Sequence, residues 1–363
     1  MNRLIAGCMT GTSLDSLDVA LVEISGLGLS MKPRLVRAVS HPLGKMARGL
    51  RAMATQRRVT AGQIARHSLL FSRAHLAALE EIAGDDRLDL IVVHGQTIYH
   101  EERVTWQLFN PWPVVAAMRV PVVFDLRWAD MAGGGQGAPI TPLADHIVFR
   151  DSARMQVVVN LGGFANYTWL PATQNHGEAA LASIRGGDIC VCNQLLDAVA
   201  MMVMNQPYDA DGAVAMSGRI VDEPFQLLMQ ILLAQADGGR SLGTGDEVFE
   251  WVTLHRDDLS AADLARTACA AIAQTICRTI GPADHLILAG GGVFNLALLH
   301  EIRHSFIGPV VLSDELGVPV QYREAMEMAI LGALAADGVP ITLPQVTGRA
   351  NDVARAGCWV YPS

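Results

Sequence analysis

The chain has 363 residues, 51% of them hydrophobic, and a formal net charge of −9. That length and apolar content suit a globular protein of two domains, and the acidic balance without a basic run excludes nucleic acid and an anionic membrane as main partners. Six scattered cysteines are no disulfide scaffold, no apolar run approaches the about 18 residues of a membrane span, and the segment ahead of Ile5-Ala6-Gly7-Cys8 is too short for a lipoprotein leader, so a cytoplasmic protein with reduced thiols and no membrane partner is expected.

The chain opens with two short strands around Thr10-Gly11-Thr12-Ser13, apolar up to Met9 and again from Val19. Gly11 permits close backbone approach and Thr12 and Ser13 bring donors. Asp15 and Asp18 follow at a spacing suited to a hydrated cation, so the turn would suit a Mg-nucleotide phosphate tail, although on this stretch alone an ordinary Gly/Ser/Asp hairpin turn outweighs that reading. Residues 27–58 are mixed and basic, and helical spacing of Ile64, Leu69, Leu70, Leu76, Leu79 and Ile82 predicts a helix over 60–82. A buried strand over 89–93 then empties into His94-Gly95-Gln96-Thr97, at the strand end where open α/β sheets place ligands. His94, Gln96 and Thr97 form a cluster suited to a polyhydroxylated ligand, while His100-Glu101-Glu102 lacks a partner motif for a metal.

A strand over 120–124 delivers Asp125, Arg127 and Asp130. There Arg127 is placed either for a structural ion pair or to clamp an anion. The run Gly133-Gly134-Gly135-Gln136-Gly137 is neither helix nor central strand. A second strand, glycine turn and strand, Asn160-Leu161-Gly162-Gly163-Phe164, echoes the opening hairpin about 150 residues further on. Asp188, after Gly186-Gly187 in an expected glycine-lined turn, reads as a helix-capping carboxylate or a base ahead of a helix over 193–204. Cys190 and Cys192 have no second Cys/His pair for zinc. Ser260 with Asp263 predicts a capping box for a helix over 261–280. A strand over 285–289 runs into Gly290-Gly291-Gly292 and Asn295 before a helix, an arrangement that presents N–H groups to an anion. A last helix over 322–336 carries Glu324, and residues 343–348 read as a loop.

Five motifs in this order resemble those of the anhydro-N-acetylmuramic acid kinase family, of the hexokinase/Hsp70/actin-like ATPase superfamily. They are Met9-Thr10-Gly11-Thr12-Ser13-Leu14-Asp15, His94-Gly95-Gln96-Thr97, Gly134-Gly135-Gln136-Gly137-Ala138-Pro139, Asn160-Leu161-Gly162-Gly163-Phe164-Ala165-Asn166 and Gly290-Gly291-Gly292-Val293-Phe294-Asn295. The resemblance implies an α/β fold of the two-domain hexokinase/Hsp70/actin-like (ribonuclease H-like) kinase type with an interdomain cleft. It would have an N-terminal domain over 1–130 and a C-terminal domain over 131–363 whose last residues can pack back on the first. It also implies a homodimer, ATP and Mg²⁺ as cofactors, and a small anhydro sugar as substrate. In the implied reaction water opens the 1,6-anhydro bond and O6 takes a phosphoryl group, in cell-wall recycling. Asp188 matches the catalytic base, with Arg127 and Glu324 near the reacting groups. Gly11, Thr12, Ser13, Asp15, Asp18, Gly290, Gly291, Gly292 and Asn295 match the cofactor side, Asp15 and Asp18 as the metal carboxylates. His94, Gln96, Thr97, Asn160 and Gly163 match the substrate side.

The chain departs from the family's pattern at Ile189-Cys190-Val191-Cys192, where a glycine turn is usual, at Leu242-Gly243-Thr244-Gly245-Asp246-Glu247, where cations are usual, and at Ser16, where glycine is usual. A non-catalytic sugar-binding paralogue and a kinase of another 1,6-anhydro sugar are the alternative readings.

Overall fold

The computed structural model describes residues 2–101, 103–174, 177–238, 241–243, 246, 248–350 and 353–363. Strands β1 (Asn2–Thr10), β2 (Ser16–Ser25) and β3 (Lys32–Pro42) form an antiparallel meander. Helices α1 (Lys45–Ala54) and α2 (Ala61–Ala83), strand β4 (Leu90–Val93), the small sheet of β5 (Gln96–Glu101) and β6 (Val104–Leu108), helix α3 (Trp112–Met118), strand β7 (Val122–Phe124) and helices α4 (Trp128–Ala132) and α5 (Pro142–Phe149) follow. Next come β8 (Gln156–Leu161), β9 (Phe164–Leu170), α6 (Glu178–Ala182), β10 (Arg185–Val191), α7 (Asn193–Val199), α8 (Ala213–Ser217), α9 (Asp222–Asp237), α10 (Phe249–His255), α11 (Ala261–Ile280), β11 (His285–Ala289), α12 (Leu296–Ser305) and β12 (Val310–Leu312). The chain ends with α13 (Arg323–Ala336), α14 (Pro344–Thr347) and β13 (Cys358–Val360).

Two compact units result. The first takes Met1–Arg150, Gln174–Ile184 and Gln321–Ser363, and the second takes Asp151–Thr173 and Arg185–Val320. The edge expected after residue 130 therefore lies inside the first unit. Its physical reason is Asp130, which accepts Gly137 N–H at 2.8 Å on one oxygen and the Thr347 hydroxyl at 2.7 Å on the other. Gln136 N donates to Thr347 O and Ala350 N to Gly133 O, both at 2.8 Å. The glycine run is thus zipped to the returning C-terminal segment.

Each unit is built on the same strand order. The first sheet reads β13-β7-β4-β1-β2-β3 and the second β10-β9-β8-β11-β12. In both, a three-stranded antiparallel meander is followed by two parallel strands, and β13 adds an antiparallel edge to β7. The near-continuous apolar runs of β4 and β8 follow from this, since central strands are covered on both faces. Each unit has its own apolar core, one around Leu17, Leu21, Phe71, Leu79 and Ile91, the other around Val157, Val159, Leu196, Trp251, Ile272 and Leu288.

Local signals set the helices. Thr60 and Gln63 make the reciprocal capping box that starts α2. At α11, Ser260 accepts from Asp263 N, but the Asp263 side chain accepts from Arg219 N at 2.8 Å, so the expected box is half formed. The helix expected over 193–204 is α7 continued by a π-helical turn at Ala200–Met204, and the 343–348 loop contains the short α14.

Helix α13 lies against β1 at a glycine. A Cβ on Gly7 would meet the Ala325 carbonyl oxygen at 2.1 Å and Ala329 N at 2.5 Å. Backbone cannot yield like a side-chain tip, so Gly7→Ala is expected to lower unfolding stability by about 3 kcal/mol, the upper end for overpacking. Urea denaturation monitored by circular dichroism checks this.

Candidate active site

The β1–β2 turn keeps Thr12, Ser13 and Asp15 exposed and Asp18 half-buried. Leu14, at φ 61, donates its N–H to Gly11 O at 3.2 Å, Leu43 N reaches Asp15 O at 2.9 Å, and Arg51 Nη2 reaches Ser13 O at 2.7 Å. The turn is therefore held by its neighbours through carbonyls. A Cβ on Gly11 would meet nothing closer than Ser13 Oγ at 3.7 Å, and the buried Thr10 hydroxyl has no partner. Packing does not explain glycine at position 11. Asp18 accepts from Ser16 Oγ at 3.1 Å. Burial pushes its carboxyl up, the Ser40, Ser16 and Gln321 hydrogen bonds oppose that, and the Asp15 charge adds to it.

The ends of β4 and β7 bring His94 and Arg127 together. His94 is 2% exposed. Its Nδ1 is 2.8 Å from Gly95 O, and its Nε2 lies 3.1 Å from Arg127 Nε and 2.9 Å from Arg127 Nη2. Arg127 Nη1 donates to Gly137 O at 2.6 Å. Burial, then the Arg127 charge, hold the His94 ring down to about 3. The imidazole is thus enclosed between Gly95 and Arg127. Gln96 is likewise buried, with Nε2 on Thr97 O at 3.2 Å and a buried Oε1 without a partner, while Thr97 is half-buried. His100 bonds Thr105 Oγ1 at 2.9 Å and Glu101 accepts from Tyr99 OH at 2.6 Å, while Glu102 lies outside the described residues.

Glu324 sits in the first turn of α13. Burial raises its carboxyl, Arg323 opposes, Asp18 adds and Arg127 opposes again, so Glu324 feels the charges of all three. Sequence reasoning missed what holds Glu324 in place. Buried Arg323 donates through Nη2 to both Asp145 oxygens at 2.5 and 2.6 Å and lies 2.9 Å from Glu327. The signal was present in the sequence, since Arg323 and Glu327 are an i,i+4 charge pair on a helix whose remaining residues, apart from Glu324, carry no charge.

In the second unit Asp188 lies within β10, opposite Asn166, so the expected glycine-lined turn is strand. Its Oδ2 accepts Leu242 N–H at 2.7 Å. The residue capping α7 is Cys192, which makes no side-chain capping bond. Asp188 is therefore not that helix's cap. Thr244, Gly245 and Glu247 of the following loop lie outside the described residues. Gly162 and Gly163 turn β8 into β9, and their carbonyls accept the N–H groups of Asn193 (3.0 Å), Cys192 (2.8 Å) and Gln194 (3.3 Å). Asn160 is buried at the end of β8. A Cβ on Gly290 would meet Asn160 Oδ1 at 2.6 Å, and one on Gly292 would meet Leu161 Cβ at 2.7 Å, so packing alone demands these two glycines. Gly291 is exposed and has nothing nearer than Asn193 Nδ2 at 4.0 Å. Asn295 caps α12, accepting Leu298 N–H at 3.0 Å. Cys190 and Cys192 are fully buried, and burial pushes both thiols up. Among the described residues no three His, Cys, Asp or Glu side chains gather to hold a metal, and no helix is long and apolar enough to cross a membrane.

The doubled strand order, with a glycine-bearing hairpin in each sheet, is that of the hexokinase/Hsp70/actin-like fold class. Within that class the chain belongs to the anhydro-N-acetylmuramic acid kinase family, whose model matches residues 3–362. It is 32% identical to the anhydro-N-acetylmuramic acid kinase of Salinibacter ruber (strain DSM 13855 / M31), over 96% of this chain and 94% of that protein. It is 29% identical to that of Bacillus cereus (strain Q1), over 99% of each. Among solved structures it is similar to the activator of the 2-hydroxyisocaproyl-CoA dehydratase from Clostridium difficile with bound ADPNP. That match has a TM-score of 0.47 and 10% identity, covering 93% of this chain and 96% of the other.

Asp125 was one of three polar residues expected at the end of β7, and the structure singles it out. It has φ 57, and its buried Oδ1 has no partner. Burial pushes its carboxyl up to about 6 from an ordinary 3.8. The folded chain thus prefers the protonated acid, a preference that stabilises below the ordinary value and is lost as pH rises through about 6. Asp125→Asn is expected to gain stability relative to the parent chain between about pH 4 and about pH 8. Paired thermal melts at the two pH values check the sign.

Proposed function

We propose that this chain is an ATP-dependent kinase that opens the 1,6-anhydro ring of anhydro-N-acetylmuramic acid with water and phosphorylates the freed O6, in peptidoglycan recycling and amino-sugar catabolism. Membership of the family supports the reading. The observation that carries it is the setting of Asp188: a half-buried carboxylate within β10 that is not the cap of α7 and accepts the Leu242 N–H at 2.7 Å. A carboxylate has about four acceptor sites, of which the Leu242 bond takes one.

Asp188 takes a proton from the water that attacks the anomeric carbon, the C1–O6 bond breaks, and O6 becomes the acceptor of the γ-phosphoryl group, whose bond to the bridging oxygen would break to leave ADP. General-base catalysis of this kind is worth about 10²–10⁴-fold. The bound Mg-nucleotide supplies the phosphoryl group and positive charge against the developing anion. Gly11, Thr12, Ser13 and Gly291 fit the nucleotide, since packing leaves both glycines unexplained and the two side chains are exposed. Asp15 and Asp18 fit Mg²⁺, which needs only one or two carboxylates beside phosphate oxygens and water. Arg127 serves as the cation toward the reacting groups, and Glu324 and Thr97 orient the sugar.

A coupled ADP-release assay over a small panel of 1,6-anhydro sugars tests this. The chain should release ADP with anhydro-N-acetylmuramic acid, and Asp188→Asn should lose at least about 10²-fold in kcat while calorimetry finds sugar binding little changed. No ADP from the parent chain with that sugar would sink the reading.

A further inference from the structure

We propose that His94 is a positioning residue, an uncharged imidazole whose Nε2 lone pair receives Arg127 and sets the direction in which that guanidinium points. The proposal rests on the reading of Arg127 as the cation of the reaction.

The geometry determines the tautomer. A carbonyl oxygen only accepts, so the 2.8 Å contact to Gly95 O requires the proton on Nδ1. Nε2 is then a bare acceptor, and two Arg127 donors converge on it, Nε at 3.1 Å and Nη2 at 2.9 Å. A protonated ring would instead turn an N–H toward those donors. The third hold is Gly137 O, 2.6 Å from Nη1. That carbonyl is itself fixed, because Gly137 N donates to Asp130, whose other oxygen takes the Thr347 hydroxyl. The guanidinium is bracketed by a strand end on one side and a locked glycine turn on the other.

An arginine side chain carries about 2 kcal/mol of rotamer entropy, and a reacting group misplaced by about 1 Å can cost about a hundredfold in rate. The bracket removes that freedom before any ligand arrives. At 2% exposure His94 acts only through Arg127.

Three variants of the full chain and one spectrum test this. In the parent chain, ¹⁵N spectra of the His94 ring should show a protonated Nδ1 and a bare Nε2. The opposite tautomer, or an imidazolium, overturns the proposal without any mutation. His94→Phe keeps a ring and removes the acceptor. It should lose the slowly exchanging Arg127 Nε–H resonance and about tenfold to a hundredfold in kcat, with a smaller change in the sugar KM. His94→Gln, which restores an acceptor oxygen, should recover most of both. A folded His94→Phe that keeps the resonance and the parent kcat overturns the proposal. Arg127→Lys separates the two ways of failing. Full activity there removes Arg127 from the reaction and the proposal with it, whereas loss there but not in His94→Phe overturns the proposal alone.

Discussion

A guanidinium buried among carboxylates fixes the start of α13, the helix that carries Glu324 in its first turn. Burial alone would push Arg323 down, but Asp145, joined bidentately, and Glu327 outweigh it and the net shift is upward. Glu327 is pushed up by its burial against the pull of Arg323. Breaking a buried pair costs about 3–5 kcal/mol, while exchanging the whole set for apolar side chains is often neutral. Such a cluster is therefore a poor source of net stability and a strong constraint on placement. What it places is the next residue, Glu324, and through Gln321, 3.5 Å from Asp18, the second carboxylate of the opening hairpin.

The same helix explains why glycine identity divides into two kinds here. Gly7 on β1, Gly332 on α13, and Gly290 and Gly292 ahead of α12 are each forced by a neighbour that a Cβ would strike, at 2.1, 2.2, 2.6 and 2.7 Å. For Gly7 and Gly332 this is helix α13 lying close on the first sheet, and for Gly290 and Gly292 it is the turn after β11 lying against the end of β8. Gly11 and Gly291 meet nothing within 3.6 Å, and both are in turns at the head of a sheet. A chain under pressure only to fold would gain by replacing them, since glycine costs conformational entropy. Their retention is a positive argument that something else needs the space.

Much of this was legible in the sequence where the signal is short-ranged. The hairpin around Gly11, the α2 helix with its Thr60 cap, and the strands ending at His94 and Gly290 all follow from local periodicity and turn residues. Strand β3 and helix α1 were not legible, because β3 is an edge strand buried only in part and reads as a mixed basic stretch. The division of the chain was misplaced by about twenty residues for a related reason: Asp130, Gly137 and Thr347 meet across more than two hundred residues of sequence, and no local pattern announces that. His94 was singled out from its surroundings, yet the sequence carries no sign of the ring's burial, because burial depends on what packs around the strand end.

The departure of β10 from the family's glycine turn has a structural answer in its register. Pairing with β9 slips between Asp188 and Cys190, leaving Ile189 as the extra residue of a bulge. A regular strand would send alternate side chains to opposite faces, but here Ile189, Cys190, Val191 and Cys192 are all buried in succession. The bulge separates a half-buried acid from a run that belongs wholly to the core. Where the family's pattern would offer N–H groups in a glycine turn, Cys192, Asn193 and Gln194 give theirs to the carbonyls of Gly162 and Gly163. The second hairpin is thus braced by protein hydrogen bonds, and Asp188, in the strand paired with it, accepts the Leu242 N–H. An oriented carboxylate can be kept while the turn behind it changes, provided the backbone groups of that turn find partners, and here they find them within the same sheet.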